Sequence, residues 1–399
     1  MIDKLKIVAG SLTQLLSDRS NRKLLFSEIN KRTYLKSYVK KVDASTKWKA
    51  LREAISWLKN SQDAMVDDGF GTYYLLDGWT SSYPETSGYI VPTLLKFTNF
   101  EGDIDVQERA RLALNWLIEI QKSSGGWQSG YVHQNRDEIV FNTGQVIRGM
   151  IAGFEHFQDE KYLQSAIKAA DWLVNNQSES GAFEKHVYMN VPRVYDSYVV
   201  APVLELNQHT NKSEYVEMAR KNIDWILREK QLTNGWFKDC DNTTKHNDRP
   251  IIHTIAYTID GILDCGLFLK DEKYISAATV PAKKLAELFL KLGILNGRYD
   301  EQWNGSEDFI TTGGAQLAII WSKLYKHTKE GFWLNAFVKM NDLLAAIHQR
   351  YVLEKAETKG ALFGSFPFWG RYERFACPNW ATKYFADSLM IEAEMNGPA

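Results

Sequence analysis

His253, Tyr257, Asp260 and Asp264 step by 4, 3 and 4 residues through an otherwise apolar run. At about 100° per residue they share one helical stripe, while Ile255, Ile259 and Ile262 take the other faces. A polar stripe on a helix that must be buried requires a cavity to face. Within it, a histidine and a tyrosine one turn apart can act as base and acid, and carboxyl groups can give and take protons.

Comparable polar groups open five other apolar segments: Glu85 and Tyr89, then Asn142 and Gln145, then Asp196, then Thr312 and Gln316, then Asn379, Lys383 and Asp387. Taken singly, Asn142, Asp196 and Thr312 also suit helix N-caps. Six segments that present polar groups at the same end favour a site over six unrelated caps. Asp196 with Glu85 or Asp308 would supply the two carboxyl groups that glycoside hydrolysis or proton abstraction from a uronate requires. His253 and Tyr257 are the alternative pair, for elimination or epimerisation.

Preceding turns are rich in rings and guanidinium groups, among them Trp79, Trp127, His133, Arg136, Trp303, Trp369, Tyr372 and Arg374. Flat aromatic faces beside planar hydrogen-bonding groups suit sugars, so Trp127, Tyr195, Trp303 and Trp380 are expected to line a glycan site with Asn142, Gln145, Gln316, Arg371 and Lys383. Arg193 and Arg249 would grip a substrate carboxylate in bidentate fashion.

The elements that must position these groups show as a repeat. Trp116-Leu117 with Gln121, Gly125 and Trp127 returns as Trp172-Leu173 with Gln177, Gly181 and Phe183, and again as Trp225 with Gln231, Gly235 and Phe237. The glutamines recur at steps of 56 and 54 residues, which signals a repeat architecture. Upstream of Trp172, Tyr162, Leu163, Ala166, Ala169, Ala170 and Leu173 follow the helical period, and Gly181 sits where a helix end needs positive φ. Weaker copies begin at Trp57-Leu58 with Gln62 and Gly69, at Phe289 with Gly297 and Tyr299, and at Leu343-Leu344 with Gly364 and Phe366. Six helical hairpins close into an all-α (α/α)6 toroid, expected over residues 45–399, with residues 1–44 as a basic helical lead-in.

A hydrophobic share of 44% in 399 residues supports a large core, and a formal net charge of −1 excludes general nucleic-acid binding. Arg22, Lys23, Lys31, Arg32, Lys36, Lys40 and Lys41 make the lead-in basic, either as a solvated face or as a contact for an anionic membrane or a biosynthetic complex. Cys240, Cys265 and Cys377 show no metal or disulfide spacing, and residues 1–16 are too polar for a signal peptide or membrane span, so a cytoplasmic protein is expected. No phosphate loop, nucleophile elbow or paired-histidine motif occurs, so neither metal nor cofactor is expected.

The Trp-Leu…Gln…Gly-x-Trp phrase resembles the repeat of the terpenoid cyclase and prenyltransferase toroids over most of residues 45–395, which implies the toroid. Their acid motif is reduced here to Asp239-Cys240-Asp241-Asn242, and Asp67-Asp68 is no diphosphate site. Residues 121–174, with Gly125-Gly126-Trp127, Asn142-Thr143-Gly144-Gln145 and Asp159-Glu160-Lys161-Tyr162-Leu163, are similar to VpsJ-like proteins of bacterial surface-polysaccharide clusters and to the helical domain of glucuronyl C5-epimerases. That likeness implies a glycan substrate in polysaccharide biosynthesis or processing, handled by a hydrolase, lyase or epimerase. A non-catalytic glycan-binding scaffold and an isoprenoid-diphosphate enzyme are the alternatives.

Overall fold

The computed structural model describes residues 13–14, 16–35, 41–349 and 355–396, so Lys36 and Lys40 of the basic segment lie outside the described residues. Helix α1 (Arg19–Leu35) precedes a series of hairpins. These pair α2 (Ala44–Asp63) with α3 (Pro84–Glu101), α4 (Ile104–Glu119) with α5 (Val140–Phe157), and α6 (Glu160–Asn176) with α7 (Ser197–Thr210). The series continues with α8 (Ser213–Trp225) and α9 (Ile252–Leu269), α10 (Glu272–Leu292) and α11 (Thr311–Thr328), and α12 (Gly331–Gln349) and α13 (Asn379–Asn396). Odd-numbered helices from α3 onward form the inner ring of an (α/α)6 toroid, and even-numbered ones surround it.

Local chemistry sets the boundaries. Asp43, Asp103, Asp159 and Asp271 cap α2, α4, α6 and α10, each accepting a hydrogen bond from a first-turn amide. Inner helices end on left-handed residues, Gly102, Gln158, Asn211, Lys270 and Lys329, which turn the chain outward within one or two positions.

The repeated glutamine is a clasp. Gln121 Nε2 donates to the Gly125 carbonyl of its own turn (2.8 Å) and to the Ser165 carbonyl of the next outer helix (3.0 Å). Gln177 reaches Gly181 and Met218 in the same way, both at 2.9 Å, and Gln62 reaches Asp68 and Arg109. Gly125, at φ +116°, lies so near the following helix that a Cβ would fall 2.4 Å from the Lys168 carbonyl oxygen. The sixth repeat departs from expectation, because its turn glycine is Gly360 and not Gly364. At φ +90° Gly360 meets the Glu53 carbonyl of α2, so the last turn packs on the first outer helix as each earlier turn packs on the next.

Closure has further links. Trp57 Nε1 donates to the Glu357 carbonyl at 2.8 Å, and Tyr73 pairs with Cys377 in a three-stranded sheet across the mouth. The Lys47 ammonium, 8% exposed, lies 2.7 Å from Asp342 of α12 and 2.6 Å from Glu392 of α13. Helix α9 is long and apolar enough to cross a membrane, but its residues are mostly buried as part of the inner ring.

Candidate active site

The expected stripe on α9 faces the lumen, and its halves do different things. His253, one turn above Tyr257, is 8% exposed and places Nδ1 2.8 Å from Gln316 Oε1 on α11. Burial lowers its pKa to about 4, against the upward pull of the Gln316 hydrogen bond. The ring is therefore neutral near pH 7. With the Gln316 oxygen as acceptor, Nδ1 holds the proton and Nε2 keeps its lone pair. Tyr257 and Tyr372 pack around the ring at centroid distances of 4.5 and 5.6 Å.

The lower half is a charge layer. Lys323 of α11 donates to Asp260 at 2.7 Å and to Asp264 at 2.6 Å, which commits both carboxylates to a bridge. Beside it the Arg148 guanidinium lies 3.9 Å over the Tyr198 ring and donates to the Tyr198 carbonyl. The chemistry is left to the layer above.

Two carboxyl groups occupy that layer. Glu85 stands in the first turn of α3, and burial pushes its pKa up to about 7, opposed by a hydrogen bond with Tyr83. It keeps some contact with water, but the crowded walls outweigh that access. Asp196 immediately precedes α7, is 2% exposed, and leaves Oδ2 without a partner. Burial raises its pKa to about 8 despite the nearby Arg193. Tyr195 feels both charges, and Glu85 also acts on Tyr83, Tyr89, Tyr257 and Tyr372, although burial is the larger influence on each of these phenols. Both carboxyls therefore lie near Tyr195, in the aromatic upper layer of the lumen.

Its walls are aromatic. Phe141 meets Tyr195 and Tyr257 at 5.2 Å each, and Tyr198 lies 4.6 Å from Tyr257. Tyr384 donates to the Tyr198 hydroxyl at 3.3 Å, Trp380 Nε1 donates to the Tyr372 hydroxyl at 2.9 Å, and Lys383 sits over Tyr384 while paired with Asp387. The Tyr257 hydroxyl is buried without a well-aligned hydrogen bond, though Tyr384 is near. Tyr83, Phe141, Tyr198 and Tyr384 are absent from the expected site. Two of them had a signal in the chain: Phe141 lies four residues before Gln145, and Tyr384 four after Trp380, so each shares a helical face with a named residue.

Several expectations are corrected. Trp127 is 0% exposed and donates its indole N–H to the Leu117 carbonyl, so no face is open to a sugar. Trp303 is similarly buried, donating to the Asn234 carbonyl. Arg249 is exposed and paired with neighbouring Asp248, and Arg371 is an exposed rim residue paired with Glu307. Both face water, because their backbones occupy connecting loops and not the inner helices. Arg193 is buried beside Asp196, with Nη1 on Asn247 and with Nε and Nη2 free of partners. Asn142 braces the Gln128 carbonyl, and Gln145 accepts from Arg148, so both order the walls. Asp308 stands beside Gly370, at the foot of the loop that carries Tyr372. Among the described residues no group of three or more His, Cys, Asp or Glu side chains is arranged to hold a metal ion.

Solved structures of the same shape act on sugars. A heparin-specific unsaturated glucuronyl hydrolase superposes with a TM-score of 0.69 at 15% identity, over 89% of this chain and 98% of its own. An unsaturated glucuronyl hydrolase from Streptococcus agalactiae gives 0.65 at 12% identity, over 88% of this chain and 93% of its own. Cellobiose 2-epimerase from Bacillus thermoamylovorans gives 0.68 at 11% identity, over 88% and 99%. At such identities the likeness establishes the toroid alone. Among curated protein sequences none is significantly similar to this chain. A family profile, however, matches residues 37–284, more than half of the 399-residue chain. With that match the chain is a carbohydrate-active enzyme and belongs to the β-L-arabinofuranosidase, GH127 catalytic domain family.

Proposed function

We propose that this protein is a glycoside hydrolase that removes a terminal sugar, with Asp196 as general acid and Glu85 as base or nucleophile. The observation that carries this assignment is geometric: Asp196, at the N-terminal end of α7, is 2% exposed with Oδ2 free of partners, and Glu85 stands in the first turn of α3; burial raises both pKa values, to about 8 and about 7. Asp196 keeps its proton near neutrality and has a free Oδ2 from which to deliver it to the glycosidic oxygen. As the bond from the anomeric carbon to that oxygen breaks, ionised Glu85 either takes the proton of an attacking water or bonds to the anomeric carbon itself, and in the second case a water then displaces Glu85 from that carbon and gives its proton back to Asp196. The neutral His253 ring and the Tyr257 hydroxyl hold sugar hydroxyls. The charge layer at Lys323, beneath the packed rings of Tyr198, Tyr257 and Tyr384, closes the site below and supports action at a chain end.

The origin of the glycan in a bacterial surface polysaccharide, met in the cytoplasm, is part of this proposal and rests on the sequence resemblance. Proton NMR with aryl and oligosaccharide β-L-arabinofuranosides and unsaturated glucuronides should show release of one terminal sugar, its first-formed anomer separating the two roles of Glu85. Full turnover by Asp196→Asn and Glu85→Gln proteins would refute the assignment. One observation favours epimerisation as a second reading: neutral His253 stands 4.5 Å from Tyr257, whose hydroxyl lacks an aligned partner. Exchange of a sugar C–H proton in deuterated water, without bond cleavage, would select it.

A further inference from the structure

Helix α1 stands outside the ring, on the side of its mouth. Buried Glu28 accepts from the Phe368 amide at 3.0 Å, Asp18 lies 4.0 Å from Lys355, and Gln14 Nε2 donates to the Leu76 carbonyl at 3.2 Å. These contacts tie the segment to turns around the opening. Asn21, Leu24 and Glu28, at helical steps of 3 and 4, form the face turned inward and are 3%, 4% and 0% exposed.

The opposite face points to water, and the two-carboxyl chemistry leaves it unused. Phe26 is at its centre, 63% exposed, with Ile29 one turn later at 47%. Arg19, Arg22 and Lys23 are exposed one and two turns before Phe26. At about 100° per residue these five side chains fall within a sector of about 120°. Glu28 is the one acidic residue in the sequence of α1, and it is buried. From Ile29 to Val42 the chain has no acidic residue and adds Lys31, Arg32, Lys36, Lys40 and Lys41.

Cations alone would serve a solvated face or meet an acidic protein. A phenyl ring and a branched aliphatic chain set among them fit a lipid surface better. There the apolar groups enter the boundary between headgroups and acyl chains, while guanidinium and ammonium groups reach phosphates on flexible stems.

We propose that the exposed face of α1 docks the protein on an anionic phospholipid bilayer, with Phe26 and Ile29 entering the headgroup boundary and Arg19, Arg22 and Lys23 on lipid phosphates. Docked in this way, the toroid holds its mouth beside the lipid surface. The proposal stands apart from the hydrolase assignment, since α1 supplies none of the reacting groups.

Co-sedimentation of the full chain with vesicles tests it. Vesicles of phosphatidylglycerol mixed with phosphatidylcholine should bind the protein at least about 10-fold more tightly than phosphatidylcholine alone, because each cation near an anionic surface adds about 5-fold. Salt at about 1 M should erase that preference. Phe26→Ser should weaken binding to the mixed vesicles about 5-fold or more, and Arg19→Glu combined with Lys23→Glu should abolish the preference for them. Both proteins should keep the wild-type midpoint of thermal unfolding, because the substituted side chains face water. Equal binding to the two vesicle types, absence of binding included, would overturn the proposal. Undiminished vesicle binding by Phe26→Ser would overturn it as well, and with capture of soluble polyglutamate would assign the face to an acidic protein instead.

Discussion

Asp196 and Glu85 are both carboxyls that the fold holds partly against their nature, and their proton affinities carry a cost that can be measured. Each has a folded pKa above its ordinary value, 3.8 for Asp196 and 4.5 for Glu85. Between those values and about 8 or about 7, the unfolded chain binds fewer protons than the folded one, so stability falls as pH rises through this window. Asp196→Asn keeps the shape without the titration. It is expected to be as stable as wild type near pH 4 and more stable at pH 8.5, by about 5 kcal/mol, as chemical denaturation at the two pH values would show. The same substitution should lower kcat by about 10²- to 10⁴-fold. Activity of the wild type should follow a narrow bell, its acid limb set by Glu85 at about 7 and its alkaline limb by Asp196 at about 8.

Inner helices can crowd around so narrow a lumen because glycines stand where they touch. A Cβ on Gly149 of α5 would fall 2.4 Å from the Gly88 carbonyl oxygen of α3, and one on Gly261 of α9 would fall 2.3 Å from the Ser197 carbonyl carbon of α7. Backbone cannot yield as a side chain can, so Gly149→Ala must push α3 and α5 apart, displacing Glu85 and Tyr89. We expect a loss of about 1–3 kcal/mol in thermal unfolding together with a raised KM. Gly331→Ala at the start of α12, where a Cβ meets nothing, should change neither. Helix α1 contributes at this scale too, since buried Glu28 accepts from the Phe368 amide at 3.0 Å and so braces the loop that presents Tyr372 and Glu373.

For the whole molecule, closure of the ring depends on the seam where the sixth hairpin meets the first. There Lys47 is held by Asp342 and Glu392, with Asn341 donating to the second Glu392 oxygen at 2.7 Å. Lys47→Met removes the positive charge of this buried trio and strands two carboxylates. The expected loss is about 3–5 kcal/mol, seen as a lower denaturation midpoint. A fall in the denaturant slope as well would mean that the ring opens before the rest unfolds.

The repeat, the hairpins and the toroid are legible in the chain alone, because each depends on local rules. Helical period, aspartate caps and a glycine forced to positive φ act within a few residues, and the Trp-Leu…Gln…Gly phrase writes them out. The polar face of α9 is equally legible, since a stripe is a matter of spacing. What those groups do is set by packing in three dimensions. Asp260 and Asp264 look as available as Asp196 in the sequence, yet Lys323 from the neighbouring helix takes both. Trp127 and Trp303 look like sugar platforms, yet turn packing buries their indoles. Glu85 and Asp196 come from the first and third inner helices and both lie near Tyr195, so their placement is set by ring closure between distant segments, which no local spacing encodes.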